Sequence, residues 1–357
     1  MPFGHPFYVM AKPVGSSCNL NCHYCYYRSK EKGRMSDELL EEFIRQHIEA
    51  QTRPYVLFTW HGGEPLLQPV GYYRHILELQ QRYARGRHID NCLQTNGTLL
   101  SDEWCEFFHN NNFLIGISID GPEWMHNSYR QNFKQTLCGI RLLQKHDVQW
   151  NALATVNRIN ADHPEEFYRF FKEIGCRYLQ FTPIVEENGS SPESVTPQQW
   201  GDFLVRLYDE WYREDVGKIF VQLFDATLAN WLGLEPGVCS MASSCGFSPT
   251  LQPDGTLYSC DHFVFPAYRL GNLRHQTLVE MMYGEQQREF SIQKTAALSQ
   301  RCKNCDYLFA CHGECPRNRF LPDHENYLCE GYLRFFRHVT PSMNAMAAEV
   351  TARQKTT

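Results

Sequence analysis

The cysteines of this 357-residue chain are not spread evenly, and their grouping constrains the fold more than any other feature. Three stand in Cys18-Asn-Leu-Asn-Cys22-His-Tyr-Cys25, a C-x3-C-x2-C spacing. Eight more lie between Cys239 and Cys329. The other four of the fifteen, Cys92, Cys105, Cys138 and Cys176, are single residues in segments of regular pattern, where free Cys acts as a small buried hydrophobe. Thiolates hold iron–sulfur clusters, and a [4Fe–4S] cluster has four iron corners. Three closely spaced thiolates leave one corner for a group that is not protein, like the open position of a catalytic zinc site. A zinc knuckle is the alternative, with His23 as the fourth ligand.

The later cysteines read C239-x5-C245-x14-C260, then C302-x2-C305-x5-C311-x3-C315-x13-C329. Eight thiolates can fully ligate two four-coordinate centres, either [4Fe–4S] clusters or structural zincs. Spacing alone suggests Cys302, Cys305, Cys311 and Cys315 as one set. This stretch of roughly ninety residues has few long apolar runs, so metal must help hold it together.

So many thiols in a chain whose start, Met1-Pro2-Phe3-Gly4-His5-Pro6, lacks a basic region followed by an apolar stretch point to metal binding in a reducing compartment. A cytoplasmic location is therefore expected. No apolar run approaches the roughly 18 residues that cross a bilayer, so no membrane partner is expected. The net charge is −6 without a basic run, which argues against nucleic acid, because such binding needs Lys and Arg to neutralise phosphates.

Hydrophobic residues make up 43% of the chain, enough for a large domain and a smaller one. Strand-like runs at Phe7–Val14, Tyr55–Trp60, Asn91–Thr95, Phe113–Ile119, Trp150–Val156 and Tyr178–Thr182 alternate with helix-period segments at 37–51, 72–84, 102–110, 134–146 and 164–174. Ser36 and Ser101 stand where N-caps belong. Repeated βα units imply a parallel sheet, and six of them an incomplete barrel with its site at the strand C-termini. A helical segment at about 197–213 and a short strand near Phe220 lead to Gly233 and Pro236-Gly237, where a boundary is expected. Thr250 to Tyr258 reads as a hairpin turning on Asp254-Gly255. A closing helix begins near residue 330, with Pro341 set to interrupt or restart it. The tail from Arg353 is expected to fray.

The cysteine triplet, with Tyr24 before its last Cys and Trp60-His61-Gly62-Gly63-Glu64-Pro65 downstream, resembles the radical S-adenosylmethionine (SAM) enzymes. In that family the open iron chelates the SAM amino and carboxylate groups. An electron from the cluster then yields methionine and a 5′-deoxyadenosyl radical. The later run, preceded by the Cys239, Cys245, Cys260-Asp261 hairpin, resembles the family's SPASM extension. The resemblance implies an α/β fold. A partial (β/α)6 barrel would span residues 1–234, a small cysteine-rich α+β SPASM domain 235–338, and a C-terminal helix and tail 339–357. It implies three [4Fe–4S] clusters: one on Cys18, Cys22 and Cys25, one on Cys239, Cys245, Cys260 and Cys315, and one on Cys302, Cys305, Cys311 and Cys329. It assigns Gly62, Gly63 and Glu64 to the SAM amino group, Asn96 and Ser118 to its ribose or methionine part, Arg130 to its carboxylate, and Tyr24 and Leu179 to adenine.

Over about residues 8–338 the chain is similar to the anaerobic sulfatase-maturating enzymes. The similarity rests on Ala11-Lys12-Pro13-Val14-Gly15-Ser16-Ser17-Cys18, Leu93-Gln94-Thr95-Asn96-Gly97, Gly116-Ile117-Ser118-Ile119-Asp120-Gly121-Pro122, Leu179-Gln180-Phe181 and Tyr258-Ser259-Cys260-Asp261-His262-Phe263. This implies oxidation of a Cys or Ser, within a Cys/Ser-x-Pro/Ala-x-Arg segment of an unfolded sulfatase, to Cα-formylglycine. The radical takes a Cβ hydrogen, a base takes the thiol or hydroxyl proton, and a second electron leaves through an auxiliary cluster. A donor such as flavodoxin or ferredoxin would supply reducing electrons. By position Asp261 is the base, with His262 as its substitute. One departure stands out: His61 replaces the Gln expected before Gly62-Gly63-Glu64-Pro65. His at that point is familiar in SPASM enzymes that form thioether or carbon–carbon crosslinks in ribosomal peptides, which supplies an alternative activity. A non-enzymatic electron carrier or a zinc-structured binding protein is the other alternative, and neither needs a Gly-Gly-Glu-Pro loop.

Overall fold

In the computed structural model, which describes residues 6–186 and 191–356, strands and helices alternate from the start of the chain. The leader-free reading of Met1–His5 lies outside the described residues, as does Thr357. The strands are β1 (Met10–Ala11), β2 (Tyr55–Trp60), β3 (His88–Thr95), β4 (Leu114–Ser118), β5 (Trp150–Val156), β6 (Tyr178–Pro183) and β7 (Phe220–Val221). Helices α1 (Asp37–Ala50), α2 (Val70–Tyr83), α3 (Asp102–Asn110), α4 (Glu123–Tyr129), α5 (Phe133–Lys145), α6 (Pro164–Glu173), α7 (Pro197–Glu214) and α8 (Gln222–Trp231) intervene or follow. Ser36 and Ser101 cap α1 and α3 by accepting from the backbone N–H of Leu39 and Trp104. Asp and Glu follow in each first turn, where the helix dipole favours them.

The chain divides into two units, each packed mainly on itself. The first runs to Ser118 and resumes at Tyr129–Asn151 and Gly246–Ile292. In it β1, β2, β3 and β4 pair in parallel, from Met10↔Thr59 to Thr95↔Ile117. The expected hairpin is present as β8 (Thr250–Leu251) and β9 (Thr256–Tyr258). Gly255 takes φ +93° in its turn, and Asp254 Oδ1 accepts from Thr256 N–H at 2.9 Å. β10 (Arg269–Asn272) pairs with β9, and β8 pairs in parallel with β1 through Met10↔Thr250 and Ala11↔Leu251. A hairpin from the cysteine-rich stretch thus continues the sheet that begins at the N-terminus. The result is an open mixed α/β sheet, not a closed barrel. β1 is shorter than the expected Phe7–Val14, and Pro13, which has no N–H for a ladder, limits it on the C-terminal side. Behind these strands Phe43, Phe58, Trp60 and Tyr73 are fully buried. Each such aromatic contributes about 1.5–3 kcal/mol. The Trp60 Nε1–H donates to Asn91 Oδ1 at 2.8 Å, so the core satisfies its polar edge.

The second unit comprises Ile119–Ser128, Ala152–Cys245 and Gln293–Thr357. Here β5, β6 and β7 pair in parallel, with Ala152↔Leu179 and Leu179↔Val221. Four helices complete the chain after α9 (Leu278–Tyr283) of the first unit: α10 (Glu285–Ala296), α11 (Gln300–Lys303), α12 (Leu308–Cys311) and α13 (Cys329–Thr356). α13 approaches α7 so closely that a Cβ on Gly201 would lie 2.9 Å from the Gly331 Cα. Pro341 neither stops nor restarts α13, which continues through it. Its missing N–H is tolerated, and Thr340 Oγ1 donates to the Phe336 carbonyl at 2.7 Å in the same turn. Among the described residues no helix is long and apolar enough to cross a membrane.

Candidate functional site

The cysteine triplet lies on a loop of the first unit, just after β1. Cys18 and Cys25 are exposed and Cys22 is buried. The loop after β2 is laid directly onto it. Gly63 N–H donates to the Gly15 carbonyl at 2.7 Å, and Glu64 N–H to that of Ser17 at 2.8 Å. A Cβ on Gly63 would stand 2.1 Å from the Ser17 oxygen, so only glycine fits there. Gly62 takes φ +138°, which also favours glycine. At the end of β3, Asn96 holds the triplet's other side. Its Nδ2 donates to Asn19 Oδ1 at 2.9 Å and faces Cys18 Sγ at 3.9 Å, while its Oδ1 accepts from Thr98. His23, the zinc-ligand alternative, has its backbone N–H bound to the Tyr129 carbonyl at 2.9 Å.

Glu64 is completely buried. Its carboxylate accepts from Leu66 N–H at 2.9 Å, Thr95 Oγ1–H at 2.7 Å and Asn96 N–H at 2.8 Å. Burial pushes it up to about 7, against the pull of these donors and of the Arg130 charge. A buried carboxylate held by neutral donors suits a ligand that brings its own ammonium. Three thiols on one loop with that carboxylate beside them fit a cluster with one open iron and a ligand of SAM's charge.

Asp261 is joined to the same loop. The Tyr26 hydroxyl, one residue beyond Cys25, donates to Asp261 Oδ2. Lys12, fully buried, places its Nζ 2.7 Å from Asp261 Oδ1. The same ammonium lies 3.0 Å from His61 Nδ1 and 4.4 Å from the centre of the Tyr27 ring. Burial favours the neutral form of Asp261, but Lys12, His61 and His262 outweigh it and hold the carboxyl well below the usual carboxylate range. For Lys12 burial pulls the ammonium down while Asp261 opposes it. Burial and the Lys12 charge push His61 down to about 3. Its Nδ1 receives both Lys12 and the Gly62 N–H, the latter at 2.7 Å, so the neutral ring carries its proton on Nε2. His61, the departure in the sequence, thus serves to fix Lys12. Sequence reasoning gave no role to Lys12 or Tyr26. A lysine within the apolar run Phe7–Val14 was the available signal, since a buried charge must be paired.

The other expected ligand residues are distributed as follows. Tyr24 and Arg130 meet, with Arg130 Nε–H donating to the Tyr24 hydroxyl at 2.8 Å. Ser118 ends β4 in the first unit, and Leu179 lies buried on β6 in the second. Of the isolated cysteines, Cys105 and Cys176 are buried and burial pushes their thiols up to about 11 and about 12. Cys92 is half-buried. Cys138 is exposed, contrary to expectation, because α5 buries Phe133, Thr136, Gly139, Ile140 and Leu143 and turns position 138 outward.

In the second unit Cys302, Cys305, Cys311 and Cys329 line one cavity, whose walls include Tyr307, Leu308, Tyr332, Leu333 and Phe336. Cys315 is not among its lining residues. The start of α13 brings Cys329 back to this cavity. Burial pushes Cys329 up to about 11 and Cys311 further. Cys239 and Cys245 are also in this unit, with Cys239 opening a short 3-10 turn. Cys260 belongs to the first unit. Among the described residues no three His, Cys, Asp or Glu side chains converge as a single metal ion requires.

Comparison with known proteins gives consistent similarities. Residues 13–171 match the radical SAM superfamily, and residues 244–306 match the SPASM iron-sulfur cluster-binding domain. The chain is 54% identical to a serine-type anaerobic sulfatase-maturating enzyme of Bacteroides thetaiotaomicron, over 99% of this chain and 94% of that one. It is 32% identical to a cysteine-type enzyme of Clostridium perfringens, over 97% and 99%. A solved structure of native anSMEcpe with bound AdoMet and Cp18Cys peptide matches with a TM-score of 0.90 at 32% identity, covering 96% of this chain and 99% of that one.

Proposed function

This chain belongs to the anaerobic sulfatase-maturating enzymes of the radical SAM superfamily, and from that premise we propose that it oxidises a Ser or Cys of a sulfatase polypeptide to Cα-formylglycine. The observation that carries the reading is the hydrogen bond from Tyr26, next to Cys25, to Asp261, which sets a carboxylate beside the loop that would generate the radical.

When bound, the clusters and SAM supply the radical that removes the Cβ hydrogen and take up the electron that remains. Cys18, Cys22 and Cys25 would hold the first cluster, and Glu64 with the Gly62-Gly63 backbone the SAM amino group. Tyr24, Asn96, Ser118, Arg130 and Leu179 are proposed as further SAM contacts. Cys239, Cys245, Cys260 and Cys315, and separately Cys302, Cys305, Cys311 and Cys329, would hold the other two clusters. By function the chain divides at about residues 234 and 338. We place the protein in the cytoplasm, with flavodoxin or ferredoxin as its electron donor.

Asp261 is assigned the proton. Lys12 and Tyr26 fix both carboxylate oxygens, so the base is oriented before substrate arrives. The same pairing makes it a weak base. A carboxylate this weak takes a proton only from a group already acidified, which orders the proton transfer after loss of the Cβ hydrogen. For a seryl target the balance is one hydrogen atom, one proton and one electron removed, leaving the aldehyde. Identity is higher to the serine-type relative than to the cysteine-type one, which favours a seryl target. Anaerobic turnover of paired Ser-x-Pro-x-Arg and Cys-x-Pro-x-Arg peptides tests this. Formylglycine from the seryl peptide supports the proposal, and intact peptide or a crosslink from both would reject it.

A further inference from the structure

Large aromatic side chains are mostly buried in a folded domain, so a group of exposed ones beside a reaction centre marks a surface that something covers. In the first unit Tyr26 is 43% exposed and Phe265 40%, and His262 is exposed as well. The Tyr26 hydroxyl donates to Asp261, and the His262 ring meets the Tyr26 ring edge-on with centres 5.8 Å apart. Phe265 follows within a tight turn. Phe263 N–H donates to the Cys260 carbonyl at 3.1 Å, Phe265 N–H to the Phe263 carbonyl at 2.9 Å, and Tyr268 N–H to the Phe265 carbonyl at 2.9 Å. Between the two exposed residues, Phe263 packs against Tyr268 and Phe290, with ring centres 4.7 and 5.4 Å away. Lys30 fixes the end of the turn. Its Nζ donates to the Val264 carbonyl at 2.9 Å and stands 4.1 Å from the centre of the Phe265 ring. The exposed rings thus sit on a segment anchored by its backbone and by Phe263.

We propose that Tyr26, His262 and Phe265 form the docking platform for the sulfatase segment, and that the residue two beyond the target packs on Phe265. The inference rests on the reading of Asp261 as the group that meets the target. An extended peptide advances about 3.3 Å per residue and turns alternate side chains to one face. With the target at Asp261, the residue two beyond it lies about 7 Å further along on the same face. The four steps from Asp261 to Phe265 span at most about 14 Å, so the two positions are within reach of each other. In a Ser-x-Pro-x-Arg segment that position is the apolar one. Proline is a suitable occupant, since aromatic-lined surfaces receive it in other modes of peptide recognition. The Arg four beyond the target is repelled by the Lys30 ammonium at the ring, so charge as well as size reserves Phe265 for the proline.

The test uses full-length enzyme, reconstituted anaerobically with SAM bound and no reductant, so that a fluorescein-labelled Ser-x-Pro-x-Arg peptide binds without turning over. Fluorescence anisotropy gives the dissociation constants of wild type and Phe265→Ala, each with that peptide and with one carrying Gly for Pro. We expect Phe265→Ala, with iron content retained, to bind the proline peptide about tenfold more weakly, and the glycine peptide to bind wild type more weakly by a similar factor. In Phe265→Ala the change from Pro to Gly should then cost little more, because both changes remove one contact. Where Phe265→Ala loses iron, Phe265→Gln, which keeps the length of the side chain but not the ring, takes its place and is read in the same way. Unchanged affinity in the variant overturns the inference, as does an equal penalty for glycine in both enzymes. A dimer in sedimentation velocity that depends on Phe265, with peptide affinity unmoved, gives the platform to a second copy and also overturns it. Wild type that neither binds the proline peptide nor converts it to formylglycine when reductant is added rejects the proposed function and the inference with it. Conversion by wild type without coupling between Phe265 and the proline rejects the inference alone.

Discussion

The two places where thiols gather are built from opposite materials. In the first unit, exposed Cys18 and Cys25 sit on a loop held by Asn96 and the Gly63–Glu64 backbone, and ions surround it: Glu64, Lys12 and Asp261. In the second, Cys302, Cys305, Cys311 and Cys329 line a cavity with apolar walls in which Arg301 is the charged lining residue. A site that must admit a charged ligand and a peptide stays open and keeps fixed charges ready for both. A site that only exchanges electrons is served by apolar walls, since exclusion of water magnifies any charge nearby. Under the function proposed above, the contrast separates a place for chemistry from a place for electrons.

The sharpest way to break this contrast is to empty the open site. Replacing Cys18, Cys22 and Cys25 with Ala should abolish 5′-deoxyadenosine formation and remove about four of about twelve irons, read by iron analysis and chromatography. Persistent SAM cleavage would deny the loop its role. Next in size is Lys12→Met. It leaves the Asp261 charge without its counter-ion, and such losses cost about 3–5 kcal/mol in denaturant unfolding. A change below about 1 kcal/mol, the value of an exposed pair, would mean the pair is solvated.

The closed site is sharpened by pairs of substitutions. A Cys302→Ala/Cys329→Ala double variant should lose about four irons and still cleave SAM. Loss of about eight would place the two residues on different clusters. The smallest effect belongs to Glu64. Its folded pKa is raised to about 7 from an ordinary value near 4.5, so the protonated form is favoured by folding. Its contribution is then fully present below about pH 4.5 and is lost as pH rises through about 7, by about 3 kcal/mol at most. Subtracting the stability curve of Glu64→Gln from that of the ligand-free wild type should show this decline. A flat difference would mean that Glu64 is solvated.

Much of the open site was legible in the sequence because it is local. The triplet, the Gly62-Gly63-Glu64-Pro65 turn and the strand C-termini each lie within a few residues, and periodicity placed the strands that carry them. Tyr55–Trp60 and Trp150–Val156 have the expected bounds, and both serine caps form. What was not legible depends on long-range pairing. The parallel union of β1 with β8 joins residues 10 and 250, and neither segment's pattern announces the other. The same union carries Asp261 to Lys12. Cys329 joins Cys302, Cys305 and Cys311 around one cavity for a similar reason, since helix α13 and not sequence distance sets its place. Pro341 was read by its usual effect, which packing along a 28-residue helix overrides.

The central claim is that Asp261 acts on substrate after the radical has formed. Asp261→Asn, assayed with a seryl Ser-x-Pro-x-Arg peptide under reducing, anaerobic conditions, tests it most directly. Mass spectrometry should follow 5′-deoxyadenosine and formylglycine in the same reaction. The account predicts full iron content and continued 5′-deoxyadenosine formation, with formylglycine reduced about 10²–10⁴-fold. Formylglycine at the wild-type rate would contradict it.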